Sequence, residues 1–110
     1  MLKTTTENIE GKRIEKYLGV VSGTDIYLVG GLLGGGMANQ EKLYGRALDT
    51  AMSHLEAKAS QMGADAIVGI STNLVSPGNV NNIIVVVTGT AVKTRDEANA
   101  ENDNDELPAI

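Results

Sequence analysis

Between residues 39 and 73 the chain spells out a long helix, a stop and a strand, and this stretch leaves few folds open to the rest. Apolar residues recur at helical spacing through Leu43, Tyr44, Ala47, Leu48, Ala51, Met52, Leu55, Ala59 and Met62. They form a broad stripe down one side of a helix of roughly six turns, about 36 Å long at about 1.5 Å per residue. Lys42, Arg46, Asp49, Ser53, Glu56, Lys58 and Ser60 fall on the opposite side. Asn39 is placed to cap the free N–H groups of the first turn, and Glu41 suits the positive end of the helix dipole. Gly63 follows the stripe, where a left-handed cap conformation costs glycine little. The sequence 64–70 (Ala-Asp-Ala-Ile-Val-Gly-Ile) then reads as a buried strand. Asp65 is expected to fix the turn into it by accepting nearby backbone N–H groups.

The remaining segments are extended or irregular. Residues 2–6, rich in threonine, read as a short edge strand. Residues 12–29 read as extended chain, either one bent strand or two, with a bulge or bend expected near Leu18-Gly19. Consecutive glycines make 30–36 irregular, because they lose too much backbone entropy to sit in helix or strand. A turn-rich loop over 75–81 separates the strand at 66–74 from another at 82–93, which contains Ile83-Ile84-Val85-Val86-Val87.

That β-branched run bears on assembly. A strand facing water on one side alternates, whereas a continuous apolar run calls for cover on both faces. One helix covers one face of a small sheet, so a second copy of the chain is expected on the other. The core has to be aliphatic, because aromatics make up 3% of the chain and Phe and Trp are absent.

Charge excludes some functions. The net charge is −5, but Asp96, Glu97, Glu101, Asp103, Asp105 and Glu106 lie in the last fifteen residues. Without those six acids, nine basic residues stand against eight acidic, a net of +1. Residues 1–95 therefore read as one nearly neutral α+β domain and 96–110 as an acidic disordered tail. No basic face is available for nucleic acid. The longest uncharged run, 66–92, has 27 residues but is broken by the turn-rich loop over 75–81, and the run 26–40 has 15 residues and five glycines. A membrane-spanning helix needs about 20 mostly apolar residues, so a cytoplasmic protein without membrane contact is expected.

The pieces Thr4-Thr5-Thr6, Ile9-Glu10-Gly11 and Tyr17-Leu18-Gly19-Val20-Val21-Ser22-Gly23 occur here in a distinctive order. They are followed by Met62-Gly63-Ala64-Asp65-Ala66-Ile67-Val68-Gly69 and Thr88-Gly89-Thr90-Ala91-Val92. In these the chain resembles the YbjQ-like family of small bacterial and archaeal proteins, UPF0145. The resemblance implies a compact α+β subunit of dodecin-like character, with a small antiparallel or mixed sheet on one long helix, assembled as a ring-shaped pentamer. It also brings a heavy-metal-binding label. Between residues 28 and 43 the sequence departs from relatives that carry a longer stretch before the helix.

The residues offer that label little. Heavy-metal sites draw on thiolates, and the chain has no cysteine. His54, the single imidazole, is the one metal-ligand candidate; its neighbours one turn away are Thr50 and Lys58, neither acidic. Met37, Met52 and Met62 carry soft sulfur, but Met52 and Met62 fall on the apolar stripe. Gly34, Gly35, Gly36 and Asn39 are candidates for a small-anion site at a helix start, although no Walker spacing accompanies them. Glu10 and Glu15 are a nominal carboxylate pair, and no nucleophile–base motif is present. No catalysis and no cofactor are expected. The reading is a self-associating binding or scaffold protein; the alternative is a metal or small-anion binder with sites between subunits.

Overall fold

The computed structural model describes residues 1–28, 37–77 and 82–97, with side chains in the helix described from Gln40 onward. Five elements follow in the order β1 (Leu2–Lys3), β2 (Lys12–Leu28), α1 (Met37–Gln61), β3 (Ala66–Val75) and β4 (Asn82–Asp96). The strands form one mixed sheet in the order β1-β3-β4-β2, with β4 antiparallel to both neighbours and β1 parallel to β3. The α+β class and the small mixed sheet on one long helix are as the sequence indicates.

Side-chain alternation explains where the core sits. Along β4, Val85, Val87 and Ala91 are buried in the cluster under α1, while Ile84, Val86, Thr88 and Thr90 alternate onto the other face. From α1 the most deeply buried residues are Ala47, Ala51, Leu55 and Ala59, one turn apart. Three alanines in that row let the helix axis come close to the sheet. Gly23 of β2 lies directly below, and a Cβ there would overlap the Ala51 carbonyl oxygen. Ser22-Gly23 is therefore the part of a single strand on which the helix rests.

β2 runs unbroken for 17 residues and absorbs two register shifts, between Ile14 and Lys16 and between Tyr17 and Gly19. Each inserts one residue opposite β4, and Gly19 supplies the positive φ of 142° that the second one needs. The expected bulge thus falls where the sequence places it. A third shift lies in β3 between Val68 and Ser71, with Gly69 at φ 61°.

This third bulge explains the threonine-rich start. The chain pairs with β3 as a strand only at Leu2–Lys3 and then bends, so the strand expected over 2–6 is shorter. Thr4 N–H still donates to the Ile67 carbonyl at 3.0 Å. The Thr6 and Thr4 carbonyls accept the bulge N–H groups of Gly69 and Ile70, at 2.8 and 3.1 Å. Thr4 and Thr6 hydroxyls meet at 2.8 Å and hold the bend.

The helix begins at Met37, so Asn39 lies inside its first turn rather than capping it, and no acidic residue stands in that turn. Its far end matches expectation. Gly63, at φ 82°, donates to the Ser60 carbonyl at 3.0 Å and Ala64 N–H donates to the Ala59 carbonyl at 3.1 Å, the paired bonds of a Schellman cap. Asp65 corrects a local expectation. Its carboxylate accepts the backbone N–H of Thr94 in β4, at 3.0 Å, and so ties the turn across the sheet.

The face opposite α1 is partly dressed by the chain itself. Ile9 and Ile14 pack on Ala66, Val68 and Val92. Farther along β2, that cover ends: Val20 is 77% exposed, Ile26 57% and Leu28 66%. Paired residues place Val20, Ile26 and Leu28 on one face with Thr90, Ile84 and Asn82 of β4.

Candidate functional site

His54 projects from α1 to β2, where its Nδ1 lies 3.1 Å from the Thr24 carbonyl oxygen. A carbonyl only accepts, so this contact calls for the N–H on Nδ1, and in that tautomer the lone pair is on Nε2. Metal-ligating imidazoles are commonly fixed in this way. A single imidazole is nonetheless far from a donor set. Among the described residues no group of three or more His, Asp or Glu side chains is placed to hold a metal ion. Met52 is half-buried against the core under α1. Met62 is 39% exposed, with its methyl group against Gly19. The described residues of one subunit by themselves do not fit a heavy-metal site.

Gly34, Gly35 and Gly36 lie outside the described residues, as do the Met37 and Asn39 side chains. Residues 78–81 of the expected loop and 98–110 of the expected tail also lie outside them.

Several of the described charged groups form surface pairs. Glu15 lies 3.7 Å from Arg95. Lys12 meets Asp96 at 3.0 Å. Glu56 receives Lys3 at 2.8 Å and the Met1 ammonium at 3.3 Å. The Lys3 hydrogen bond, reinforced by that of the terminal ammonium, holds the Glu56 carboxyl below its ordinary range.

Two concavities stand out. One, of about 460 Å³, is lined by Leu2, Lys12, Asp65, Ala66, Thr94, Arg95 and Asp96. Its charges balance, and Lys12 with Asp96, Arg95 with Glu15, and Asp65 with Thr94 already satisfy one another. The other, of about 290 Å³, lies between the start of α1 and the sheet, lined by Tyr27, Gln40, Glu41, Tyr44 and Leu74. Here Tyr27 and Tyr44 meet edge to face, with centroids 6.3 Å apart at 72°. Sequence reasoning missed this meeting. The only signal was that Tyr44 falls on the apolar stripe of its helix, which does not say that Tyr27 meets it from another element.

Among the described residues, no helix is long and apolar enough to cross a membrane. A family model described as "Putative heavy-metal-binding" matches residues 27–95. A UPF0145 protein of Methanothermobacter thermautotrophicus is 38% identical over 109 residues, covering 88% of this chain and 99% of its own. A UPF0145 protein of Nostoc punctiforme is 34% identical over 111 residues, covering 86% and 100%. A crystal structure from Pediococcus pentosaceus, of a protein with unknown function in the DUF74 family, superposes with a TM-score of 0.62 at 22% identity. It spans 86% of this chain and 98% of that one, and it shares the fold. With the family match over most of the sheet and helix, and relatives above 30% identity along nearly their whole length, the chain belongs to the YbjQ-like UPF0145 family.

Proposed function

We propose that the protein is a non-catalytic, cytoplasmic homo-oligomer that acts as a binding or scaffold protein, its subunits covering one another's sheet face opposite α1. One observation carries this reading: Val20, Ile26 and Leu28 stand on that face well over half exposed, beside the half-buried Ile84 and Val86. By strand register this stretch also includes Ser22, Thr24, Thr88 and Ser71, and no charged side chain. A second copy can therefore dock on it without stripping water from an ion. A pentameric ring, as the family resemblance implies, satisfies every subunit alike. Native mass spectrometry tests both copy number and retained mass. A single assembled species is expected for the parent protein, and monomers for Ile26→Lys, which places a charge in the proposed interface. A folded parent monomer at micromolar concentration would exclude the reading.

A second reading rests on His54. Its fixed Nδ1–H leaves Nε2 as a directed donor, so a ring can bring several such imidazoles to one metal ion shared between subunits. The family's heavy-metal description agrees with that. Metal analysis after dialysis against Zn²⁺ or Cu²⁺ is expected to find a stoichiometric ion in the parent and none in His54→Ala. No bound ion in the parent removes this reading and leaves the first intact.

A further inference from the structure

We propose that the groove between the start of α1 and the Tyr27–Leu74 end of the sheet binds a small organic cation, an alkylammonium group on a compact apolar body. The chain has three tyrosines and no other aromatic residue, and two of them converge here from different elements. Leu74 beside them is 54% exposed, which adds apolar surface to the same concavity. Glu41 stands among these lining residues and is exposed, its carboxylate without a hydrogen bond or ion pair among the described residues. Glu15, Glu56 and Asp96, by contrast, all have cationic partners. No Lys or Arg is among the described residues that line the groove.

This combination selects by charge. Tyrosine ring faces carry negative potential and attract cations, most strongly cations whose methyl groups shed water easily. The Glu41 carboxylate adds a full negative charge, which outweighs the roughly half positive charge of a helix start. An anion meets repulsion here, and a neutral apolar molecule gains nothing from Glu41. The volume of about 290 Å³ is at the small end for ligand sites and limits the guest to a compact molecule. Assembly of the chain is not required for this inference.

Choline and dimethylbutanol, its uncharged carbon analogue, are the probes, titrated into the full chain and followed by NMR of the tyrosine rings. Choline is expected to shift Tyr27 and Tyr44 but not Tyr17, which is 67% exposed elsewhere on the sheet. It should bind about tenfold more tightly than the alcohol, the size of a cation–aromatic contact aided by a carboxylate. Glu41→Gln, a change at an exposed position, should reduce that preference to about twofold, and Tyr44→Leu should abolish choline binding. Thermal melting checks the fold of Tyr44→Leu; if it fails to fold, Glu41→Gln decides. Equal binding of the two probes would overturn the proposal, as would a preference unchanged in Glu41→Gln or no choline-dependent shift. A change of assembly mass in Glu41→Gln would also overturn it, because the groove would then hold a neighbouring subunit's cationic side chain.

Discussion

A single methyl group tests how closely α1 lies on β2. Gly23 has no room for a Cβ because the Ala51 backbone oxygen occupies that space and Leu55 N follows at 2.7 Å. Gly23→Ala is therefore expected to destabilise the fold by about 1–3 kcal/mol, the usual cost of overpacking, read as a lower urea midpoint. Glu56 tests the other extreme, an exposed carboxylate whose pKa is lowered chiefly by Lys3. A carboxyl depressed on folding adds stability above its ordinary range and loses it as pH falls through its folded value. Glu56→Gln should thus be less stable than the parent at neutral pH. The gap should close as the solution is acidified below the carboxylate range, as measured by urea unfolding across pH. At this scale the sequence was readable where chemistry is local. The Gly63 cap followed from its place after the stripe. Asp65 did not, because its partner Thr94 is 29 residues away and nothing in the intervening sequence names it.

Among the elements, the helix was the most legible, since nine stripe residues at one period leave no competing conformation. Its beginning was not: Met37 and Ala38 give no capping signal, and Asn39, a good cap, draws the eye past them. β2 was half legible. Gly19 announced a bulge, but Ser22-Gly23-Thr24-Asp25 has turn chemistry, and only the helix overhead explains a glycine in mid-strand. The stripe's centre carries a clear energetic expectation. Leu55 is fully buried between α1 and the sheet, so Leu55→Ala should cost about 2–5 kcal/mol. Leu48→Ala, at the half-buried flank, should cost less, and the comparison checks that the core is centred on the Ala47–Ala59 row.

For the whole molecule, counting faces was incomplete in detail. It required cover beyond one helix, and exposed Val20, Ile26 and Leu28 fit that demand. It overlooked Ile9 and Ile14, which cover the opposite face near Val92, because a turn-like segment gives no sign of where it will lie. If neighbouring copies supply the rest, stability depends on concentration, and dilution should lower the melting temperature. A melting temperature indifferent to dilution through the range where the assembly comes apart would contradict this. The tyrosine groove was illegible for a similar reason: it is made by two elements meeting, and neither carries the site alone.

The central position of β4 has a temporal consequence. With β2 bonded along one side and β3 along the other, its amides have no outward-facing edge, and they are released only when the sheet comes apart. In deuterated water the amides from Val85 to Ala91 should therefore be the last to lose their protons, at a rate set by global opening. Those on the outer side of β2 should exchange far sooner in an isolated subunit, and slow down where a neighbour shelters them.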